Sequence, residues 1–407
     1  MRILIYSYNY FPEPIGIAPL MTELAEGLVA RGNEVRVVTA MPWYPKSEIY
    51  EEYRGKLYLT EERNGVTIQR CYVRSSPKRS FVNRALFEAS FVLLSFFQAL
   101  QGWRPDVLLL TIPGLPVGVP AAALGWLYRC PVVLNLQDIL PDAAVHVGLL
   151  SNEKLINVFT QLEKFAYHTA TKITVISNGF IDNLTSKNVD SEKIKLIPNW
   201  VNVDFIKPLP KEDNYFRRDN NLEGKFVVLY SGNIALTQGL ETVIEAATHL
   251  KHLPDIAIII VGEEKALERL RQYCQKVGAD NVLLKPFQPR KKLPEMLSAA
   301  DIGLVVQKSN VISFNMPSKI QVLLASGRAI IASVPAAGTA AKAVEASGGG
   351  VIVPPEDPKA LAMAIKDLYS EPNKIAALGQ KSRQHAIDNY SFTSALDRYE
   401  ELFATLI

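Results

Sequence analysis

The chain has 407 residues, of which 48% are hydrophobic and 21% are charged, and its formal net charge is +3. This length suits two domains of ordinary size, and the composition is that of a globular protein. The small net charge, with both signs mixed along both halves, excludes the strongly basic surface of a nucleic-acid-binding protein, so no nucleic acid partner is expected.

Strand and helix patterns alternate along the first 200 residues, which predicts a parallel sheet covered by helices. Short apolar runs predict buried strands at residues 2–7, 34–39, 106–111, 131–136 and 172–176. Apolar residues at helical spacing predict helices at residues 22–30 and 85–100, and the first of these ends at Arg31-Gly32.

A stretch rich in proline and asparagine at residues 198–210 predicts a domain boundary. A second alternating series follows, with strands predicted at residues 226–230, 256–261, 282–285, 302–306, 329–332 and 350–353. Helices are predicted at residues 239–250, 264–277, 292–299, 317–326, 339–346, 358–369 and 391–406. We therefore predict an N-terminal domain (1–203), a linker (204–224), a C-terminal domain (225–387) and a C-terminal helix (388–407) that crosses back to the first domain.

Three loops join a predicted strand to a predicted helix, and each is a candidate anion site. The first contains Gly16, the second contains Gly232, Asn233 and Gln238, and the third is Pro317-Ser318-Lys319. None of them has the GxGxxG pattern, so an ordinary dinucleotide site is not indicated. From the residues alone, Gly16 is equally well a turn glycine and Lys319 is equally well a solvated lysine.

A series of short motifs runs in a fixed order along essentially the whole chain. In the first half they are YFP to the glycine at 10–16, GNEVRVVT at 32–39, RPDV at 104–107 and IPNWVN at 197–202. In the second half they are GN at 232–233 with QG at 238–239, VGE at 261–263, AADIG at 299–303, PSK at 317–319 with LASGR at 324–328, and VPPEDP at 353–358. In this order they resemble glycosyltransferase family 4, whose GT-B fold has two Rossmann-like α/β domains with parallel sheets facing across a cleft. PWYP at 42–45 and QDILPD at 137–142 are most similar to the branch that assembles exopolysaccharide and colanic acid, fucosyltransferases included.

The resemblance implies a retaining glycosyltransferase that moves a sugar from a nucleotide-diphosphate sugar to a saccharide or polyprenyl-linked acceptor. Lys319 would be the main phosphate contact, and Asp138 would orient the sugar or the acceptor hydroxyl, with a helix cap as the ordinary alternative for Asp138. Asn233 and Gln238 stand where many members carry Arg and Lys. The donor-binding positions carried over from the family are Gly16, Gly232, Asn233, Gln238, Gly262, Glu263, Phe287, Gln288, Asn315 and Ser318.

Two positions depart from the family pattern. Phe314 and Val322 stand where the family commonly has two glutamates, of which the second holds the ribose. Neither supplies the carboxylate of a covalent route, so we expect the departing phosphate to take the acceptor proton. Asn310, Ser313 and Asn315 are the polar candidates nearby. A non-catalytic nucleotide-sugar-binding relative and a sugar-nucleotide epimerase of the same fold remain alternatives.

Other expectations concern metal, histidine and membrane. The chain has no Asp-x-Asp motif, so we expect no metal and no cofactor. His146 is either a sugar contact or an ordinary histidine. A run of basic residues without an intervening acid precedes the predicted helix at 85–100, and it consists of Arg63, Arg70, Arg74, Lys78, Arg79 and Arg84. It either docks on an anionic membrane that carries the acceptor or is a solvated loop before a packed helix.

The cellular location is predicted from what the chain lacks. The three cysteines show no CxxC spacing, which fits a reducing compartment and indicates neither a zinc site nor a disulfide framework. No apolar run reaches the roughly 18 residues of a membrane-spanning helix, and the opening apolar run reads as a strand rather than a signal peptide. We expect a cytoplasmic protein that works at the inner face of the plasma membrane if the basic run binds lipid.

Overall fold

The computed structural model describes residues 1–14, 16–78, 80–112, 115–146, 150–311 and 316–407. The chain divides into two compact units. Unit one comprises Met1–Asn199 and Ala395–Ile407, and unit two comprises Trp200–Ser394. Each unit contains a largely or wholly parallel sheet with helices, which confirms the predicted α/β class. That the two sheets face each other across a cleft stays a prediction.

The sheet of unit one has eight strands in the order β3-β4-β2-β1-β5-β6-β7-β8. Their bounds are β1 Arg2–Tyr6, β2 Glu34–Ala40, β3 Tyr58–Arg63, β4 Val66–Cys71, β5 Val107–Ile112, β6 Val132–Leu136, β7 Lys172–Val175 and β8 Ile194–Leu196. All neighbours are parallel except β3 and β4, which form a hairpin. Our sequence analysis missed this hairpin, although Asn64 (φ 48°) and Gly65 (φ 78°) are the residue pair that a tight two-residue turn prefers.

Helices cover this sheet, and their starts follow local capping chemistry. Their bounds are α1 Ala18–Ala30, α2 Phe81–Ala99, α3 Gly118–Tyr128, α4 Asp142–His146, α5 Glu153–Thr169, α6 Asn178–Ser186 and, at the chain end, α15 Phe392–Ala404. Helix α1 starts four residues before the predicted residue 22, because Pro19 in the first turn needs no hydrogen-bond acceptor. Helix α2 starts after Ser80, whose hydroxyl accepts a hydrogen bond from the Asn83 amide at 3.1 Å.

The sheet of unit two has six parallel strands in the order β11-β10-β9-β12-β13-β14. The strands are β9 Phe226–Ser231, β10 Ile256–Gly262, β11 Val282–Pro286, β12 Ile302–Val306, β13 Ala329–Ser333 and β14 Gly350–Val353. The helices are α7 Tyr215–Asp219, α8 Glu241–His249, α9 Glu264–Val277, α10 Leu293–Ser298, α11 Lys319–Ala325, α12 Thr339–Ser347, α13 Pro358–Tyr369 and α14 Pro372–Tyr390. Helix α14 was not predicted, because only a narrow set of its residues is buried.

Two apolar cores cover the two faces of the second sheet. Along β9, Val228 and Tyr230 belong to one core, and Val227 and Leu229 belong to the other. This alternation is expected when helices pack on both faces of a parallel sheet. The segment that we predicted as a linker contributes to the second core through Ile206, Phe216 and Leu222, because these apolar side chains gain free energy when they leave water.

Candidate functional site

The carboxyl edge of the second sheet carries most of the predicted donor-binding residues. Gly232 follows β9, Glu263 follows β10 and Phe287 follows β11, and these three strands are adjacent. Lys319 is the first residue of α11, a helix that packs beside β12. Ligands of open parallel α/β sheets bind at this edge, because the strand-to-helix loops are the part of the structure free of layer packing.

Lys319 is a partly buried cation that pairs with no carboxylate in the described ranges of the chain. Its Nζ lies 3.7 Å from the centroid of the Tyr230 ring and donates a long, 3.5 Å hydrogen bond to Oε1 of Gln238. Burial lowers the pKa of the Lys319 ammonium from 10.5 to about 7. A cation with neutral partners only is a receptor for an anion.

Gly232 has no side chain, and the ammonium group of Lys319 occupies the space beside it. Its φ is 147°, which side chains disfavour, and a Cβ on it would stand 3.2 Å from Nζ of Lys319. Its amide donates to the carbonyl of Val261 at 3.1 Å, so the loop is tied to the neighbouring strand. The glycine therefore serves both the turn and the approach of the ammonium group.

The loop around Asn233 and Gln238 is held by the hydroxyl group of Tyr230. The Tyr230 hydroxyl donates to the backbone carbonyl of Asn233 at 2.7 Å and lies 3.4 Å from Oε1 of Gln238. Gln238 thus bridges Tyr230 and Lys319, while Asn233 is exposed. The structure therefore brings three of the predicted residues, Gly232, Gln238 and Lys319, into one cluster.

Four more of the predicted donor-binding residues form the neighbouring part of the edge. Gly262 is required by packing, because a Cβ on it would stand 2.2 Å from Cδ1 of Ile234. The Phe287 amide donates to the Gly262 carbonyl at 3.1 Å, and the Phe287 ring is 52% exposed. Glu263 is exposed at the start of α9, and Gln288 donates to the Pro286 carbonyl at 3.1 Å. An exposed ring beside a free carboxylate is suited to a base and a ribose.

The PSK turn at 317–319 is preceded by residues that lie outside the described ranges. Asn315, together with Phe314 and Ser313, lies outside the described residues, while Asn310 is exposed. Ser318 is exposed and its side chain caps no helical amide. Val322 is partly buried and packs against the core of unit two, so it is turned to apolar neighbours.

Sequence reasoning missed Lys308, which follows β12 at the same edge. The Lys308 amide donates to the Thr237 carbonyl at 2.9 Å, and its side chain passes over Gly239. Its charge helps to lower the pKa of Glu356, after the two hydrogen bonds from Ser309. Before it, Gln307 is buried and its Nε2 finds no partner in the described part of the chain. Polar residues directly after an apolar strand were the signal that could have identified both.

Gly16 and Asp138 lie in unit one, where they line a cavity of about 460 Å³ at the carboxyl edge of the first sheet. Four aromatic side chains line the same cavity, namely Tyr8, Trp43, Tyr44 and Phe87. We call it the aromatic pocket. Asn9, Gln137 and Asn199 add amides to its wall, and the Gln137 and Asn199 amides bond each other at 2.8 and 3.2 Å.

Glu13 holds the aromatic side of this pocket in place. This buried carboxylate accepts hydrogen bonds from the amides of Trp43 (2.9 Å) and Tyr44 (2.8 Å) and from Nδ2 of Asn9 (2.7 Å). Burial raises the pKa of Glu13, although these three hydrogen bonds oppose the rise. The PWYP motif is thus positioned by a residue outside it, which sequence reasoning did not identify.

Asp138 is the one acid that lines the aromatic pocket. Its surface is open to solvent, but the concave wall around it desolvates the carboxyl group and raises its pKa. No hydrogen bond joins its side chain to a helix amide within the ranges described, so nothing supports the helix-cap alternative. The carboxyl group is thus available to a hydroxyl in the pocket. The side chain of His146 lies outside the description.

Two of the six basic residues considered for membrane contact form ion pairs within unit one. Arg70 is fully buried and pairs with Glu61 at 2.6 Å. Arg63 pairs with Glu26 at 2.7 Å and lies 3.8 Å from the centroid of the Phe11 ring. These two are strand residues of the β3–β4 hairpin, so they do not belong to the solvated loop of the second alternative, and the buried Arg70 is not available to a lipid surface. Arg79 lies outside the described residues.

Neither a spanning helix nor a metal cluster is found within the described ranges. None of the helices there is long and apolar enough to cross a membrane. No group of three His, Cys, Asp or Glu side chains there is placed to hold a metal ion. The expectation that the protein needs no cofactor is not tested by this.

Comparisons with known proteins match the chain over both units. A family described as glycosyl transferases group 1 matches residues 211–385, and one described as a glycosyl transferase 4-like domain matches residues 16–200. WcaI of Escherichia coli (strain K12), named for glycosyl transfer in colanic acid biosynthesis, is 33% identical over 386 residues, which are 92% of this chain and 94% of WcaI. WbjE of Pseudomonas aeruginosa, named as a glycosyltransferase, is 26% identical and covers 74% of this chain and 72% of its own. The crystal structure of Anabaena HepE in complex with UDP superposes with a TM-score of 0.72 at 17% identity, and the match covers 100% of both chains.

Proposed function

The chain belongs to glycosyltransferase family 4 and has the GT-B fold, and on this premise we propose a retaining transfer of a sugar from a nucleotide-diphosphate sugar to a saccharide acceptor. The observation that carries the proposal is Lys319, a partly buried ammonium group at the carboxyl edge of the second sheet that pairs with no carboxylate among the described residues. A pyrophosphate supplies the charge that this group lacks.

The energetics of Lys319 favour a tightly held anion. A partly buried cation whose neighbours are a ring and an amide oxygen costs the protein stability, which the lowered pKa reports. A diphosphate oxygen beside it restores the protonated form and gains a charge-assisted hydrogen bond. Lys308, whose side chain passes over Gly239 in the loop that also carries Gln238, would add a second cation.

The proposed donor class and the proposed role in polysaccharide assembly are supported by the similarity of this chain to two proteins. HepE was crystallised with UDP, which is a nucleoside diphosphate, and WcaI is named for colanic acid biosynthesis. We propose that this chain likewise uses a nucleotide-diphosphate sugar and acts in the assembly of a polysaccharide. The nucleotide base of the donor, the sugar that is transferred and the linkage that is formed are the first properties to determine.

Unit one would hold the acceptor in the aromatic pocket. Aromatic faces stack on the apolar faces of sugar rings, and the amides of Asn9 and Gln137 suit sugar hydroxyls. Asp138 would accept a hydrogen bond from the reacting acceptor hydroxyl and so fix its orientation. The pocket thereby supplies position rather than a strong base.

The proposed chemical step needs few protein groups. The bond from the anomeric carbon to the diphosphate breaks, and the bond to the acceptor oxygen forms on the same face of the sugar. The acceptor proton passes to the departing diphosphate oxygen. Lys319 stabilises the charge that develops there, a contribution of roughly 3 kcal/mol.

Binding and turnover with a panel of nucleotide sugars test this function. We expect one donor to bind and to be transferred, with the product anomer matching the donor by NMR. Lys319→Met should abolish donor binding, whereas Lys265→Met, which removes an exposed lysine of the same unit, should leave it unchanged. Asp138→Asn should lower turnover and leave donor affinity intact. An inverted product, or a Lys319→Met protein of full activity, would contradict the proposal.

The packing of Val322 favours a second candidate, a nucleotide-sugar-binding protein without transferase activity. The family position that holds the ribose is here an apolar side chain against the core. In that case the same panel would show donor binding without transfer to any acceptor. Release of the free sugar nucleotide epimer would instead indicate the epimerase.

We also propose that unit one contacts an anionic membrane through α2 and α3. At their carboxyl ends the two helices adjoin, because the Tyr128 hydroxyl donates to the Ala99 carbonyl at 2.9 Å. There Phe97 and Trp126 are 51% and 82% exposed. Exposed aromatic rings of this kind insert at the lipid interface.

Charge at the same helix ends complements an anionic lipid surface. Arg104 donates to the Arg129 carbonyl at 3.3 Å, and both guanidinium groups are without a carboxylate partner in the described chain. Flotation with phosphatidylglycerol vesicles should carry the protein, and Phe97→Ser with Trp126→Ser should abolish this. Met363→Ser, at an exposed apolar residue of unit two, is the control. If the native protein does not bind vesicles but forms a dimer that the Phe97/Trp126 variant fails to form, this surface is a protein–protein interface instead.

A further inference from the structure

A second cavity of about 460 Å³ adjoins the aromatic pocket. Both cavities are lined by Trp43, Arg84 and Phe87, so they share one wall. The second is formed by the loop that follows β4 and by the first turn of α2. We call it the basic pocket because of the side chains that line it.

The lining of the basic pocket is cationic. Arg74, Lys78 and Arg84 contribute positive charge, four serines contribute hydroxyls, and none of the described residues that line the cavity is a carboxylate. Arg84 is partly neutralised by Glu88 at 2.5 Å, which lies one helical turn further on. Arg74 and Lys78 have no carboxylate partner in the part of the chain described. The pocket thus keeps a net positive charge and many hydrogen-bond donors.

Several donors of the pocket are held in place by local bonds. Asn83 donates through Nδ2 to the Ser76 hydroxyl at 3.2 Å and to the Lys78 carbonyl at 2.8 Å. The Arg74 amide lies 3.0 Å from the Ser90 hydroxyl, which ties the loop to α2. The loop is therefore folded against the helix, and its cations are brought to one cavity rather than spread along a solvated segment.

We propose that the basic pocket binds the phosphate or diphosphate group of the acceptor, whose sugar ring occupies the aromatic pocket. This inference rests on the proposed transferase function and adds the chemical class of its acceptor, an anionic saccharide. Arg84 stands between the two parts, with its guanidinium group 5.4 Å from the Phe87 ring centroid. One side chain thereby contacts both the sugar and its phosphate.

The geometry favours this occupant over a flat membrane contact for Arg74 and Lys78. A cavity with several donors encloses a compact anion, whereas a lipid surface requires only an exposed cationic face. A phosphate attached to a sugar also explains why the cationic and aromatic cavities are contiguous. The phosphate can belong to a free sugar phosphate or to a lipid-linked sugar diphosphate.

Calorimetry with the donor site filled by the tightest binder among UDP, GDP, ADP and dTDP tests the proposal. The probes are the 1-phosphates of glucose, galactose and mannose, the matching neutral methyl glycosides, and farnesyl-diphosphate-linked glucose. We expect at least one sugar phosphate to bind about tenfold or more tightly than its methyl glycoside. Arg74→Gln with Lys78→Gln should abolish that preference, whereas Lys154→Gln with Lys195→Gln, at exposed lysines of the same unit, should preserve it.

The outcomes separate this proposal from the function on which it rests. Nucleoside diphosphate binding that is unchanged in the Arg74/Lys78 variant shows an intact donor site, and failure of the native protein to bind any of UDP, GDP, ADP and dTDP defeats the donor proposal alone. A farnesyl probe that binds more tightly than glucose 1-phosphate identifies a lipid-linked acceptor, and equal affinity identifies a free phosphate. Equal affinity for phosphorylated and neutral sugars overturns the subsite. The subsite is also overturned if the Arg74/Lys78 variant loses binding to phosphatidylglycerol vesicles but keeps its preference for the sugar phosphate.

Discussion

Binding of a nucleoside diphosphate should draw a proton onto Lys319 at alkaline pH. In the free protein the pKa of this lysine is about 7, so at pH 8 it is mostly neutral. A diphosphate at the ammonium group raises that pKa, since an opposite charge favours the charged form. If the bound pKa exceeds about 9, each ligand takes up about 0.9 proton at pH 8.

The same linkage predicts how affinity depends on pH. Each binding event has to protonate the lysine, so the dissociation constant should rise by about 25- to 50-fold between pH 7 and pH 9. The terminal phosphate of UDP has a second pKa of about 6, so the ligand itself does not titrate in this range. The proton count above pH 7.5 therefore reports on the protein.

Isothermal titration calorimetry in two buffers of different ionisation enthalpy measures the proton count directly. The ligand is the tightest binder among UDP, GDP, ADP and dTDP. Lys319→Arg should bind without proton uptake, because the guanidinium group stays protonated at all these pH values. Lys265→Met should behave as the native protein. Native uptake below about 0.2 proton at pH 8, or an equal pH slope in Lys319→Arg, would refute the reasoning.

Four further outcomes follow from the same structure. Between pH 7 and 10.5 the unfolded chain binds the Lys319 proton and the folded chain does not, so thermal stability should rise with pH in this window; a Lys319→Met protein with the same rise would show that another group is responsible. Gly232→Ala should weaken diphosphate binding about tenfold or more, because its Cβ meets the ammonium group, whereas Gly55→Ala, which is similarly strained but has open space, should leave binding alone. Arg70→Met should lower the free energy of unfolding by about 1–3 kcal/mol, and Arg63→Met by less, because only Arg70 is fully buried; denaturant melts that rank them in the opposite order would contradict this. Activity should survive a chelator, and loss with rescue by manganese would establish a metal requirement.

The strand positions and the loops that follow them could be predicted because both depend on local signals. Buried strands of a parallel sheet are continuous apolar runs, and the turn glycines mark where they end. These two signals are enough to predict that Gly232 and Lys319 lie in strand-to-helix loops of the second sheet. The β3–β4 hairpin escaped prediction because its strands carry charged residues, among them the buried Arg70, which pairs with Glu61 and donates to the Phe11 carbonyl.

Residues whose role depends on distant partners could not be predicted in this way. Glu13 is buried by the loop that carries Trp43 and Tyr44, about thirty positions along the chain. Lys308 reaches the candidate site because β12 is the neighbour of β9 in the sheet, which no local pattern encodes. Strand order results from packing across the whole unit, so it cannot be predicted from the sequence of each segment alone.

The amino-acid sequence by itself determined the alternation of strands and helices, the two-part organisation and the family, because these depend on composition, periodicity and ordered motifs. Only the tertiary structure decided which charged side chains form ion pairs within the protein and which are available to bind a ligand. Arg70 has a carboxylate partner, whereas Lys319 has a ring and an amide, and the two look alike in sequence. The physical reason is that the cost of a charge is set by its surroundings, and those surroundings are assembled from residues far apart in the chain.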